Sequence, residues 1–484
     1  MMDRQPSAPG SVRWVTRTLE DAGYETWAVG GAVRNALLGL PSGDWDLATR
    51  APPGVVRRLF PRTVPVGIAH GTVGVLTRQG VLLEVTTFRR DVETFGRHAT
   101  VEFADTLRED LSRRDFTVNA VAWHPIREAF QDPFGGRADL AAGLLRAVGV
   151  ASRRFDEDYL RVLRGLRFSG RFRLRIDDAT WKALCRATAH LGVLSPERVR
   201  EELVKTITED RRPSGALALY GISGALDVLY PELAAVGGLR LRGTGEDLWV
   251  RSLLTMDLLP ARHPRMRLAA LLQGLGCPGE GGSGSADGHP GEGSLAGSSR
   301  EGGSGSRDVL QVDRGSERAW ASSSNETNVR ARDRAAALML RLRFSNAEIR
   351  DVTGLLEAGL EPVPAGAAAP ELRRWLHRAG PERFRPLARL WVAGARLDEL
   401  RQGRDPAPVV DVIRRLRKEL RSNPPLRTED LALNGRDLVA MGLKPGPRFG
   451  RILAALMDQV LEDPALNRRE SLIEAVERWL EEEE

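Results

Sequence analysis

Two aspartates two positions apart, Asp44 and Asp46 in DWDLAT, are the side chains of this 484-residue chain best suited to hold a metal. The segment reads as a strand. Side chains alternate along a strand, so both carboxylates face one way and Trp45 the other. Two carboxylates on one face repel unless a cation lies between them. Magnesium suits such hard oxygen ligands and keeps open positions for phosphate. Two ions about 4 Å apart can activate a hydroxyl and neutralise a leaving pyrophosphate. Glu84 in VLLEVTTF offers a third carboxylate, which a neighbouring strand would bring beside the pair. A D-x-D pair by itself also describes a solvated strand face.

The residues upstream narrow the choice. Gly30-Gly31 follows the strand-like TWAV and precedes the helix-like AVRNALLG. A Gly-Gly turn lets the backbone approach a phosphate, and a helix start offers free N–H groups. Arg34 in the first turn is placed to reach the same phosphate. GG-x-x-R followed by D-x-D about ten residues later points to nucleotidyl transfer.

Two further stretches carry charges that could read a base. EDLSRRDFTVNA places Arg113, Arg114 and Asp115 before an apolar segment, and FDEDYLRVLRGLRF carries Glu157, Asp158, Arg161, Arg164 and Arg167. Asp158 and Arg161 are three apart, which on a helix puts them on one face. A carboxylate beside a guanidinium matches the amino donor and ring-nitrogen acceptor of cytosine and adenine. Uracil and guanine present the reverse order, so mismatched polar groups would exclude them. Arg114, Arg164 and Arg167 would contact triphosphate or ribose, or buttress the pair. The plainer reading is a surface ion pair of small energy.

The elements that must position these residues are legible in outline. Residues 25–125 alternate short apolar runs with Gly/Pro turns, which predicts a small unit with a mostly antiparallel or mixed sheet. TWAVGG, DWDLAT, GTVGVLT and VLLEVTTF read as strands; AVRNALLG and PPGVVRRLF read as helices. Beyond about residue 150 the apolar spacing becomes helical to the end of the chain. Ser195-Pro196, with Glu197 behind, marks a helix start. Residues 277–328 are Gly/Ser-rich and predict a flexible insertion. No apolar run is long enough to span a bilayer, the first residues lack a signal-peptide core, and Cys185 and Cys277 have no metal-type spacing. A cytoplasmic setting is expected. The net charge of +6, nearly all arginine, suits a nucleic-acid partner and equally a GC-rich coding sequence.

VGGAVRNALLG, DWDLAT, GTVGVLT, EVTTFRRD, EDLSRRDFTVNA, DPFGGRADL, EDYLRVLRGLRF, SPERVREEL and the long stretch from LALNGRDLVAMGLKPG to RRESL resemble the class II tRNA nucleotidyltransferases, the CCA-adding enzyme and bacterial poly(A) polymerase family. The resemblance implies an α+β chain: a polymerase-β-like head over 1–148, then an all-α neck (149–210), body (211–360) and RNA-binding tail (361–484). It implies Mg²⁺ at Asp44 and Asp46, and nucleotide contacts at Gly31, Arg34, Arg114, Asp158, Arg161, Arg164 and Arg167. The implied partners are CTP, ATP and the 3′ end of tRNA, with no membrane. The implied reaction is CCA addition; CC-addition, A-addition and poly(A) synthesis are the near alternatives, and a non-catalytic RNA binder the distant one. Two departures stand out. Asn35 replaces the family's usual aspartate, which predicts weaker packing of a neighbouring loop. Gln273-Gly274 stands where many relatives carry the His-Asp pair of a phosphohydrolase, so that activity is not expected. In the tail, Lys444, Arg448 and Arg451 around KPGPRFGRIL could hold phosphate. His70 and His98 lie near the active domain, and His98 is a candidate for a loop that helps switch from C to A.

Overall fold

The computed structural model describes residues 5–67, 70–95, 98–241, 245–277, 314–359 and 362–483. They pack as two compact units. The first holds the chain up to Ala234 with Met256–Arg267 and Leu340–Phe344; the second holds Ala235–Thr255, Leu268–Met339 and Ser345–Glu484.

The first unit begins with a sheet built from β1 (Thr26–Val29), β2 (Asp46–Thr49), β3 (Thr63–Gly67), β4 (Thr72–Leu76) and β5 (Leu82–Thr87). A ribbon of β6 (Arg89–Phe95) and β7 (His98–Phe103) follows, then β8 (Ala122–Trp123) and β9 (Phe130–Gln131). The sheet order is β3-β4-β5-β2-β1-β8-β9. Only β2 and β5 run parallel; the other pairs in it are antiparallel. The sheet is therefore mixed, as its alternating apolar pattern predicts.

Each face of the sheet has its own core. Ala28, Leu47, Val73 and Val85 pack on one side with Val12, Val15, Val33 and Trp123. Trp27, Val29 and Ala48 pack on the other with Phe88 and Leu111. Strand period fixes this division, because odd and even positions leave the sheet on opposite sides. Three helices flank the strands: α1 (Gly10–Asp21), α2 (Gly31–Leu37) and α3 (Pro53–Leu59). Then come α4 (Leu107–Ser112) and α5 (Gly136–Ala141). Thr106 and Glu109 close α4 with a reciprocal capping box.

The helical part of this unit contains α6 (Ala151–Glu157), α7 (Leu160–Phe172), α8 (Asp178–Ala187) and α9 (Pro196–Glu209). The sequence predicts one helix through FDEDYLRVLRGLRF. The structure breaks it at Asp158, whose backbone is extended (φ −158°, ψ 104°). Helix α9 starts at Pro196 with Ser195 in the cap position, but the Ser195 hydroxyl bonds no backbone N–H. Proline's fixed φ sets that start.

The second unit is helical. Its longest helix, Arg314–Arg341, corrects the predicted insertion at its far end. Residues 278–313 of the 277–328 stretch lie outside the described residues, whereas 314–328 are helical. Ser and Asn in that segment read as loop. Yet they are continuous with Ala331, Ala335, Leu338 and Met339, which are buried, and helix propagation from an anchored half costs little.

Candidate functional site

A cavity of about 680 Å³ lies between the sheet and helices α7 and α9. Every residue lining it belongs to the first unit. Ten cationic side chains line it against five carboxylates, so it favours an anionic ligand.

The carboxylates at one end come from two strands in register. Asp46 on β2 pairs directly with Glu84 on the parallel strand β5. The neighbouring-strand expectation for Glu84 thus holds. Asp44 is different: β2 begins at Asp46, so Asp44 lies in the irregular segment before it, exposed, and does not line the cavity. Trp45 between them turns into the core, with its ring 5.9 Å from that of Trp123. Burial pushes the Asp46 carboxyl up to about 6, helped by repulsion from Glu84 and Asp44 and opposed by Arg114. Excess negative charge of this kind fits a divalent cation. Among the described residues, no group of three or more His, Cys, Asp or Glu is already gathered as a metal cage.

Gly30 abuts the same end. Its φ of +75° and ψ of −136° belong to a region that L-residues avoid. A Cβ there would sit 3.1 Å from Arg114 Nη1 and 3.6 Å from Asp46 Oδ2. The Gly-Gly turn therefore lets Arg114 and Asp46 approach the end of β1. Helix α2 starts immediately, at Gly31. Arg114 is held by the buried Asp110 at 3.3 Å, and Arg113 by the other oxygen of that carboxylate at 2.8 Å. Burial would raise the Asp110 carboxyl, but these two guanidinium groups hold it below its usual value.

A second chain of contacts connects the sheet side to α7. Arg34 is buried, and its Nη1 donates to Asn119 Oδ1 at 2.5 Å. Asn119 Nδ2 donates to Asp115 Oδ1 at 2.9 Å, and Asp115 Oδ2 accepts from Arg164 Nε at 2.7 Å. Burial acts against the Asp115 charge, yet Arg164, Asn119 and the Phe116 N–H bring its carboxyl down to about 2. Arg34 also lies over the rings of Phe172 (4.3 Å) and Phe168 (5.0 Å), an arrangement that attracts a cation. Desolvation, with crowding by Arg171, Arg167 and Arg164, lowers Arg34 to about 9. An anion bound at Arg34 would relieve that crowding.

Helix α7 revises three expectations. Asp158 and Arg161 both line the cavity, but their side chains take other partners, and the bond between them is the Arg161 N–H to the Asp158 carbonyl at 3.0 Å. Asp158 is not helical, so the three-residue spacing no longer aligns them. Its carboxylate accepts from Arg198 on α9 at 2.8 Å and from the Leu160 N–H at 3.0 Å. Arg161 pairs with Glu157 and donates to the carbonyls of Arg154 (2.9 Å) and Arg113 (3.2 Å). Arg167 is 5% exposed and bonds Glu202 at 2.7 Å and Glu209 at 2.8 Å, both on α9. That makes it a buttress between helices more than a free phosphate ligand. Arg164 keeps an edge on the cavity, a third exposed.

Sequence reasoning assigned no role to Asp110, Asn119, Arg171 or Arg198, all of which organise or line this site. The available signal was in EDLSRRDFTVNA: acids and an amide set among residues that turn out buried. Asn35 Oδ1 accepts from Arg34 Nη2 at 2.9 Å and Nε at 3.3 Å, while its Nδ2 reaches the Pro41 carbonyl in the following loop only at 3.5 Å. At Gly274 the missing side chain has a packing reason, since a Cβ would lie 2.5 Å from Val236 Cγ1. Gln273 donates to Ser252 Oγ at 3.2 Å. In the tail, a helix starts at Pro447, and Arg448 lies over the Trp479 ring at 5.5 Å. His70 is exposed, and the His98 side chain lies outside the described residues.

Residues 26–146 match the family model of the poly(A) polymerase head domain, 173–236 that of a probable RNA- and SrmB-binding site of polymerase A, and 314–476 that of tRNA nucleotidyltransferase domain 2. The sheet thus lies in the stretch that resembles a poly(A) polymerase head domain, and the helices α7 and α9 that complete the cavity lie beyond it. The chain is 45% identical over 222 residues to the CCA-adding enzyme of Anoxybacillus flavithermus, covering 46% of this chain and 55% of that one. It is 41% identical over 221 residues to the CCA-adding enzyme of Lactiplantibacillus plantarum, covering 45% and 54%. The chain spans about half the length of the curated relatives it matches. The Bacillus stearothermophilus CCA-adding enzyme, solved in complex with CTP, superposes over 98% of each chain with a TM-score of 0.68 and 27% identity. The chain is similar to the class II tRNA nucleotidyltransferase and bacterial poly(A) polymerase family, as its motifs imply.

Proposed function

We propose that this chain adds C and A nucleotides from CTP and ATP to the 3′ end of tRNA without a nucleic-acid template. The 3′ oxygen bonds the α-phosphorus of the nucleotide, the bond to the β-phosphate breaks, and pyrophosphate leaves. One observation carries the reading: an acidic end (Asp46 beside Glu84) and a buried arginine crowded by other cations (Arg34) open into one cavity, with Asp158 and Arg161 on its wall.

Asp46 and Asp44 would hold Mg²⁺, with Glu84 alongside, and the raised Asp46 carboxyl supports a cation there. Bound magnesium supplies Lewis-acid activation of the attacking hydroxyl and neutralises developing charge. Arg34 and Arg114 orient the triphosphate, and Gly30 and Gly31 let it approach the backbone. Asp158 and Arg161 would meet the base edge after exchanging their present partners for it. Arg164 supports Asp115 and so Arg34. The tail, with Lys444, Arg448 and Arg451, would contact RNA phosphates. The CCA-adding relatives and the CTP complex of a similar chain favour CCA addition. No described helix is long and apolar enough to cross a membrane. A cytoplasmic setting belongs to this reading because tRNA is its substrate.

The head-domain match to poly(A) polymerase keeps a second reading open, homopolymeric A addition. Purified protein, Mg²⁺ and single or mixed nucleotides, offered to tRNA transcripts lacking CCA, CA or A, separate these. CCA addition gives products that stop at the mature end. A-tailing gives a ladder with ATP alone. Full incorporation by Asp46→Asn would refute the catalytic reading.

A further inference from the structure

We propose that Arg171, near the end of α7, grips the terminal phosphates of the incoming nucleotide, the two that leave as pyrophosphate; this rests on reading the cavity as a nucleotide site. Arg161, Arg164, Phe168 and Arg171 all line the cavity. Their spacing puts them on one face of α7, and the run from Arg161 to Arg171 carries that face about 15 Å along the helix axis. Asp158 and Arg161 stand at the end assigned to the base. A nucleoside triphosphate has its base at one end and its γ-phosphate at the other, so a nucleotide lying along this face points its phosphates toward Arg171. The position of Arg34 agrees. Its guanidinium lies 4.3 Å over the Phe172 ring, and that of Arg171 lies 5.0 Å over the same ring.

The charges around Arg171 do not cancel. Glu209 Oε2 accepts from Arg171 and also from Arg167, at 2.8 Å. Arg167 takes Glu202 as well, at 2.7 Å, and Lys205 Nζ stands 3.7 Å from that same carboxylate. Three cations thus share two carboxylates. Arg167 is buried and ties α7 to α9, whereas Arg171 is a quarter exposed and borders the cavity. Arg171 can therefore turn to an anion while Arg167 keeps the helices together. Beyond Phe172, the described hydrogen bonds of the Arg34 guanidinium go to the amide oxygens of Asn119 and Asn35, so no bonded carboxylate offsets its charge. Burial lowers Arg34 most, and of the neighbouring charges that lower it further Arg171 weighs most. A phosphate held by both guanidinium groups removes that repulsion and receives parallel N–H bonds from each. A nucleoside monophosphate carries no group that reaches this place.

The test uses inorganic triphosphate as the probe, titrated calorimetrically into the full chain and into Arg171→Gln, Arg171→Lys, Glu209→Gln and Arg34→Gln, with thermal melting to establish that each is folded. Arg171→Gln should weaken triphosphate binding about tenfold, the scale of one lost charged hydrogen bond. The loss should appear in KM for CTP and ATP more than in kcat, and not in KM for tRNA. Arg171→Lys keeps the charge and should stay within about threefold of the parent. Glu209→Gln keeps an acceptor for both arginines but removes the competing charge, so it should bind triphosphate more tightly than the parent. An ion pair with a purely structural role predicts that Arg171→Gln and Glu209→Gln weaken binding alike, and that result overturns the proposal. A rise in KM for tRNA with triphosphate binding intact would assign Arg171 to an RNA phosphate and overturn it too. If Arg34→Gln loses triphosphate binding while Arg171→Gln binds as the parent does, the proposal fails and the nucleotide reading stands. If neither variant loses it, the nucleotide reading of this end of the cavity fails and takes the proposal with it.

Discussion

Replacing Asp115 with asparagine removes one charge from the centre of the site and keeps its shape. Asp115 is 7% exposed and accepts from Arg164, Asn119 and the Phe116 N–H. Its carboxyl falls from 3.8 to about 2 in the folded chain. At 1.36 kcal/mol per unit, that difference is about 2 kcal/mol of stability. The depressed value fixes the sign. The contribution is complete above the unfolded value near 4 and is lost as pH falls through about 2. Removing one partner of a buried pair typically costs about 3–5 kcal/mol, but Arg164 is a third exposed and can recover some hydration. The expected loss for Asp115→Asn at pH 7 is therefore about 2–4 kcal/mol. Urea unfolding followed by tryptophan fluorescence should show it between pH 5 and 8, with the gap to the parent narrowing below pH 4. Because Asn119 holds Arg34 and is itself held by Asp115, KM for nucleotide should rise together with the stability loss. A gap under about 0.5 kcal/mol, or one that stays constant to pH 3, would refute the argument that ionised Asp115 ties these elements together.

Other outcomes follow from the same contacts. Gly30→Ala places a side chain at positive φ and crowds Arg114 Nη1; it should destabilise the head by about 1–3 kcal/mol and cut incorporation sharply, as thermal melting and single-turnover assays will show. Arg167→Met leaves Glu202, 2% exposed, without its main partner; about 3 kcal/mol or more should be lost in unfolding, and a variant as stable as the parent would contradict the buttress role. Asp158→Ala should erode discrimination of C and A over U and G by about tenfold or more in competition assays, while unchanged selectivity would remove Asp158 from base reading.

The local elements of the head were legible because their signals are local. Alternation in TWAV and VLLEVTT marks strands, and Gly30-Gly31 followed by AVRNAL marks a turn into a helix. Arg34, Asp46, Glu84 and Arg114 were found from type and spacing, and they converge on one cavity. The reading faltered where a residue's partner lies far away in the chain. Asp158 and Arg161 looked paired because helical spacing would make them so. Arg198, 40 positions away from Asp158, is the partner it finds, and the chain leaves the helix at Asp158. Asp110, Asp115 and Asn119 carry no motif that separates an organiser from a solvated polar residue; only burial does, and burial is a tertiary property.

The sequence by itself determined the chemistry at hand: carboxylates two positions apart, a glycine turn before a helix, and arginines that can meet phosphate. Residue type and short-range periodicity suffice for that, because backbone geometry over a few residues is nearly fixed. The tertiary structure alone decided which of those charges are free. It set Glu84 in register with Asp46, gave most of the cavity's arginines carboxylates of their own, and left Arg34 with amide oxygens. Charge compensation acts through distances of a few ångströms between segments far apart in the chain, and those distances exist only once the sheet and helices have packed.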